Sequence, residues 1–428
     1  MYVMTFLKTK KYIFSLTAFV FIAFTLNAEI SVKNNAKNDI ATAGSPVEFT
    51  VQDCPKTASW SAKINGYKAA EGSLESGKAS VLPKECGAVI FTAENAVEKN
   101  SPAAKKHLNG NGVLVSPEKI LPANTPAEDA DEFWNNAKKE LSKYQLKFSL
   151  TKIRDEGLVE LYGYVIDLGG GELGFANPVR ASGYLAKLKG SKKLPAMLTV
   201  YGAGTFSANM SDAIKYAKLG ALSVTLNPHP FFYNASADEI DSARNGVLKR
   251  YNKIGVKDGD PTQIYFYGMF KRLYAVLCAI ESHPNFDKKH FVVRGFSQGG
   301  AQSIMAAYLS DKVTAICPAA PAMCDLGSVN KDRRSAWPFW VNDKRQSETN
   351  EISKYFDMAL LGAKAKAEMF VAIGLLDETC SPSSIMAMYN NYGGKKSYMT
   401  MQNTPHDRTP EFFKQEHEFI LKHLSLKK

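Results

Sequence analysis

The feature that most constrains this chain is Gly295-Phe296-Ser297-Gln298-Gly299-Gly300. An apolar, β-branched run, Lys289-His290-Phe291-Val292-Val293-Arg294, stands before it. A small-residue and apolar run from Gln302 to Leu309 stands after it and predicts a helix. Strand, G-x-S-x-G, helix is the setting of a nucleophile elbow, a strained turn that lifts a serine hydroxyl to the top of a sheet. Small residues at Gly295 and Gly299 let the helix and the neighbouring strand close around that turn. The serine then stands at the positive end of a helix dipole. The backbone N–H of the next residue, Gln298, can face a developing oxyanion.

The flanking sequence predicts the sheet that such a turn needs. Ala196 to Tyr201 is a nearly continuous apolar strand, as in a buried parallel sheet. A helix near 210–219 and a strand at 221–226 follow. A long polar insertion covers 228–262, and a helix at 263–282 leads to the elbow strand. Beyond the elbow come strand 312–317, helix 349–361, strand 368–374, helix 382–391, strand 397–402 and helix 409–424. Alternation of this kind predicts a mostly parallel sheet with helices on both faces. Ahead of it, Asp131-Glu132-Phe133-Trp134 opens a helix with acids at its positive end. Strands at 157–166 and 179–188 flank Gly169-Gly170-Gly171, a hairpin turn and not a phosphate loop, because no helix follows it.

The first part of the chain differs. Lys8, Lys10 and Lys11 precede an apolar run from Tyr12 to Leu26, closed by Asn27-Ala28. Charged segment, short apolar core and small residue predict a secretory signal over residues 1–28, too short for a good membrane span. The mature protein is expected to be periplasmic or secreted, with no stable membrane insertion. Residues 29–115 read as a small all-β domain. Val47, Phe49 and Val51 alternate with polar residues, Trp60, Ala62 and Ile64 repeat at period two, and Gly87 to Ala93 is a further strand. The order Cys54, Trp60, Cys86 hints at an immunoglobulin-like sandwich, and an exported address permits a disulfide between the two cysteines. A structural or spacer module is the simpler reading, a sugar-binding module the other. Residues 101–128 are rich in Pro, Asn and Gly and read as a linker, with the domain division drawn at 116–130 ahead of a catalytic domain at 131–428. On this division the β domain is dispensable for hydrolysing small esters.

The polarity of the sheet selects partners for Ser297, because ligands bind beyond the carboxyl ends of parallel strands. His283 and His290 lie at the amino end of the elbow strand, His417 and His423 on the last helix, and His107 before the catalytic domain. His229 and His406 both follow strands, and the turn-rich loop Asn403-Thr404-Pro405-His406-Asp407 suits a general base better. Asp377 directly follows strand 368–374, one strand earlier, ahead of Asp325 and Glu378 as rivals. The order Ser297, Asp377, His406 is that of α/β-hydrolases. A second oxyanion donor is expected after Tyr201, in Gly202-Ala203-Gly204, from the N–H of Ala203. The loop Trp337-Pro338-Phe339-Trp340 offers large aromatics for a cap that restricts acyl size or stacks on a sugar. Gly202, His229, Trp337 and Trp340 are therefore candidate substrate-binding residues. No C-x-x-C occurs and histidines do not cluster with cysteines, so neither a metal nor a cofactor is expected. Cys278, Cys317, Cys324 and Cys380 read as buried thiols. The formal charge of +11 is scattered along the chain with no basic tract, which argues against a nucleic-acid partner.

The hydrolase part resembles the acetyl xylan esterase and cephalosporin-C deacetylase family. The matching pieces are Asp131 to Trp134, Leu194-Pro195 with Gly202, the elbow, and Pro321-Ala322-Met323-Cys324-Asp325. The most specific is Gly374 to Ser384, with Tyr389-Asn390 behind it. The resemblance covers roughly residues 129 to 426. It implies an α/β-hydrolase that deacetylates sugars through Ser297, Asp377 and His406, with backbone donors at Gln298 and at Ala203, where the family has tyrosine. Two departures stand out. The family's Arg-Gly-Gln is absent after Leu226-Asn227-Pro228-His229, and Asp407 follows the histidine where the family has Glu. Ring-like hexamers are common in the family, so a homo-oligomer is an expectation. The implied substrate is an acetylated oligo- or polysaccharide. Another small ester or amide, or carbohydrate binding without catalysis, are the other readings.

Overall fold

The computed structural model describes residues 30–54, 58–94, 109–169 and 179–426. The expected signal segment and His107 lie outside them. Three sheets form. β1 (Ser31–Asn34), β3 (Val47–Gln52) and β6 (Lys78–Val81) make an antiparallel sheet. A five-stranded sheet takes the order β2 (Ile40–Ala41), β8 (Gly110–Val115), β7 (Gly87–Glu94), β4 (Ser59–Ile64), β5 (Tyr67–Ser73). The two enclose a core of Val47, Phe49, Val51, Val89, Phe91, Val113 and Val115. β3 builds its share by strict alternation, with every second side chain buried. Phe49 stacks on Phe91 across the core at 4.3 Å between ring centroids. Cys54 and Cys86 are not joined to each other, so the permitted disulfide is not formed.

The third sheet has nine strands. β9 (Ser149–Glu156), β10 (Val159–Asp167) and β11 (Arg180–Leu188) run antiparallel to their neighbours. β13 (Leu222–Thr225), β12 (Leu194–Val200), β14 (Phe286–Phe296), β15 (Ala315–Ala319), β16 (Glu368–Gly374) and β17 (Lys396–Met401) follow in that spatial order, mutually parallel. All seven residues of β12 are buried, as its unbroken apolar run predicts. α1 (Ala130–Leu141), α4 (Tyr265–Ser282), α5 (Gln298–Leu309) and α8 (Pro382–Asn391) contribute to one core. α2 (Met210–Lys218) and α9 (Pro410–His423) pack a separate cluster with Met197, Val292 and Ala315. Among the described residues no helix is long and apolar enough to cross a membrane.

Local departures from the sequence reading have identifiable causes. The polar insertion holds α3 (Ala237–Asn245), opened by a reciprocal capping box between Ser236 and Glu239. The expected helix 349–361 is two, α6 (Ser347–Ser353) and α7 (Met358–Leu361). Asp357 breaks it, because its carboxylate caps α7 through Ala359 N and also accepts from Asp325 N and Leu326 N.

The largest departure concerns the stretch read as a linker. Its Gly110-Asn111-Gly112 belongs to β8, fully buried along its length. Val113 and Val115 face the β core, while Leu114 and, on β7, Ala88 join the main core beneath the nine-stranded sheet. A Cβ on Gly112 would collide with the Leu375 carbonyl, so only glycine permits this contact. Residues 116–130 do not hang free either. Asn390 donates to the carbonyls of Pro117 and Ile120 at 2.7 and 2.8 Å, and Ala123 N donates to Asp325. Glycine and asparagine selected for close packing resemble the composition of a linker.

Candidate active site

β14 ends at the elbow. Ser297 has φ 58° and ψ −120°, a conformation costly for a residue with a side chain. Its backbone is pinned: Ser297 N donates to Ala319 O at 2.9 Å, and Ala322 N donates to Ser297 O at 3.0 Å. A Cβ on Gly299 would lie 2.6 Å from Val200 O, and one on Gly295 would strike Gly299, so the turn closes only with both glycines. Ser297 is nearly buried at the floor of a cavity of about 650 Å³.

The loops after β16 and β17 deliver the other two groups. His406 Nε2 lies 2.8 Å from Ser297 Oγ, and His406 Nδ1 lies 2.7 Å from Asp377 Oδ2. Asp377 is fully buried, and its Oδ1 accepts from Thr379 N and Cys380 N, both at 2.8 Å. Those bonds aim Oδ2 at the imidazole. An acceptor on Nδ1–H leaves Nε2 to take a proton from the serine. The rival acids are engaged elsewhere. Buried Asp325 pairs with Arg333 at 2.6 Å, and Glu378 pairs with Lys63 at 2.5 Å. Cys380 stands near Asp377 and His406, the three forming one group of metal-ligating types. Burial pushes its thiol well up, and Asp377 and His406 already bond each other.

Gln298 opens α5, where a helix leaves its N–H without an intrahelical acceptor. Facing it, Gly202 sits close to Ser297, and exposed Ala203 lines the same cavity. The side chain behind each donor is held by a network that spacing alone does not reveal. Tyr251 donates to Gln298 Oε1 at 2.6 Å and accepts from Gly204 N at 3.3 Å. His229 Nε2 and Gly204 O are 2.9 Å apart, and His229 Nδ1 and the Tyr265 hydroxyl are 2.6 Å apart. Arg272 Nη2 donates to that hydroxyl at 3.3 Å.

His229 is thus not a substrate ligand. It is fully buried, and burial together with Arg272 pushes its pKa down to about 3. A neutral ring accepts from Tyr265 at Nδ1 and donates from Nε2 to Gly204, so its work is to brace the loop carrying Ala203. The aromatic loop also divides. Trp337 lines the cavity with Phe206, Thr379 and Phe413. Trp340 turns inward, buried, donating from Nε1 to Asn252 O at 2.7 Å and packing on Phe266 and Phe356. It cannot touch a substrate. Of the remaining histidines, His290 bonds Asp287 at the amino end of β14, and His423 approaches Glu368. Cys317, Cys324 and Cys380 are buried as expected, whereas Cys278 is partly exposed.

Residues 118–424 match the family model described as acetyl xylan esterase (AXE1). Among characterised proteins, the acetyl esterase Axe7A of Xylanibacter ruminicola is 26% identical over 311 residues, 70% of this chain and 68% of that protein. Two solved structures share the fold. Acetyl xylan esterase 1 from a Thermoanaerobacterium species superposes with TM-score 0.60 at 22% identity, over 72% of this chain and 97% of that one. An acetyl xylan esterase from a Paenibacillus species does so with TM-score 0.60 at 20% identity, over 72% and 98%. The nine-stranded domain is α/β-hydrolase-like, preceded by the two β-rich sheets.

Proposed function

Because this chain belongs to the acetyl xylan esterase family, and is by that membership a carbohydrate esterase of the acetyl esterase kind, we propose that it is exported and removes acetyl groups from acetylated saccharides through an acyl-serine intermediate. The observation that carries the mechanism is the relay at 2.8 and 2.7 Å from Ser297 through His406 to Asp377. Ser297 Oγ attacks the acetyl carbonyl while His406 Nε2 takes its proton. The oxyanion is received by the N–H groups of Gln298 and Ala203. His406 then protonates the departing sugar hydroxyl. A water, deprotonated by the same imidazole, releases acetate and frees the serine. Asp377 holds the tautomer and offsets the imidazolium charge. Export rests on residues 1–28 and is tested by fractionating cells that express the full chain.

The enzymatic test is hydrolysis of p-nitrophenyl acetate together with acetate release from acetylated xylo-oligosaccharides. Both reactions are expected of the full chain. Ser297→Ala should lower kcat by roughly three to six orders of magnitude, leaving what binding and the oxyanion donors supply. Its circular dichroism and melting should stay close to those of the parent. Turnover at the parent's rate by folded Ser297→Ala protein would remove the serine from the mechanism. Release of acetate from the nitrophenyl ester but from no saccharide would remove the carbohydrate substrate.

A further inference from the structure

The cavity does not end at Ser297. It continues between α2 and α9, where Asp212, Lys215, Arg294, Arg408 and Phe413 line it. Two of these charges are engaged. Arg294 clasps Glu416 through two buried bonds of 2.9 Å, and Asp212 accepts from the Tyr201 hydroxyl at 2.8 Å. Lys215 and Arg408 lie over rings instead, Lys215 Nζ over that of Tyr216 at 5.1 Å. Among the described residues neither has a carboxylate at ion-pair distance, and Arg408 Nε is buried without a hydrogen-bond partner. The Arg408 guanidinium lies over the rings of Phe296 at 4.6 Å and Phe413 at 5.1 Å. Stacking fixes its plane where it lines the cavity, within reach of a ligand. Burial, followed by repulsion from Arg294, lowers the pKa of both cations against the attraction of Glu416 and Asp212. An arriving anion relieves that repulsion. The two come from separate elements, α2 and the loop behind His406, yet border one cavity with the nucleophile.

Building on the deacetylase reading, we propose that this end of the cavity is an anion subsite for the carboxylate of a uronic acid, so that acetylated acidic oligosaccharides are preferred. A planar carboxylate matches the guanidinium fork, and Lys215 adds a second positive charge. The preference is read as the ratio of kcat/KM for an acetylated oligosaccharide bearing one glucuronic acid to that for its neutral counterpart bearing glucose. At low salt the ratio should be about tenfold or more, and it should shrink as salt rises. Arg408→Gln and Lys215→Gln should each reduce it, the pair together should bring it near one, and Arg408→Lys, which keeps the charge and loses the planar fork, should keep only part of it. A wild-type ratio near one, or a ratio that the double variant leaves intact, overturns the subsite. Inhibition of p-nitrophenyl acetate hydrolysis by glucuronate and by glucose tests the same subsite without saccharide turnover. Stronger inhibition by glucuronate, abolished in the double variant, upholds it even where no oligosaccharide is deacetylated, and then only the saccharide reading falls. Equal inhibition by the two sugars overturns it.

Discussion

His229 shows how one residue ties loop geometry to pH. Its neutral ring joins Tyr265 to the Gly204 carbonyl, one residue beyond the expected oxyanion donor. Above its ordinary value of 6.5 the ring is neutral in folded and unfolded chains alike, and its titration leaves stability unchanged. Below that value the unfolded chain takes up a proton that the folded one refuses until about pH 3. The unfolded state then binds more protons, so stability falls with falling pH, by up to about 1.4 kcal/mol per pH unit within that window. His229→Gln should lower the urea midpoint at neutral pH, through the lost Gly204 brace, and flatten the acid slope. Urea unfolding of both proteins across the window measures this. Parallel slopes would assign the acid sensitivity to other groups, such as His283, which burial pushes down to about 4. His229 was visible in the sequence as a histidine at the correct end of a strand. Its partners Tyr251, Tyr265 and Arg272 were not, because an insertion and a helix bring them together without any local pattern.

At the scale of elements, the aromatic loop between β15 and α6 is half wall and half anchor. Trp337 borders the cavity and should limit the acyl group, each unaccommodated methylene costing on the order of 1–3 kcal/mol in the transition state. Rates should therefore drop steeply from p-nitrophenyl acetate to p-nitrophenyl butyrate, and Trp337→Ala should flatten the drop. Trp340→Ala should behave otherwise. It removes a buried ring and leaves Asn252 O without its donor, a loss of about 3–5 kcal/mol in stability. Chain-length profiles and chemical denaturation separate the two outcomes, and an unchanged profile in Trp337→Ala would leave the acyl limit to other walls. The two tryptophans of one motif looked equivalent on paper. Phe266 touches both rings, and it is packing on Phe356 with the bond to Asn252 O that holds the second tryptophan inward.

For the whole molecule, the decisive contact is between the β-rich region and the loops carrying Asp377 and His406. Gly112 abuts Leu375, Gly112 N donates to Gln402 Oε1 at 3.3 Å, and Asn111 Nδ2 donates to Asn403 Oδ1 at 3.4 Å. Leu375 lies two residues before Asp377, and Asn403 three before His406. A chain beginning at Pro117 should accordingly lose esterase activity or fail to stay soluble, contrary to a modular reading. Gly112→Val in the full chain should cut kcat/KM for p-nitrophenyl acetate, while Lys63→Ala should change stability by only about 0–1 kcal/mol, since its pair with Glu378 is partly exposed. Full activity in either the truncated chain or Gly112→Val would show that the catalytic loops hold themselves. By itself, the sequence determined the elbow, the order of serine, acid and histidine, and the parallel sheet, because these rest on local backbone demands and short-range periodicity. Tertiary structure alone decided what occupies the rival carboxylates, which aromatic reaches the cavity, and that the apparent linker contains a buried strand. Those outcomes depend on burial and hydrogen bonding between residues far apart in the chain, where a glycine chosen for contact and one chosen for flexibility are the same letter.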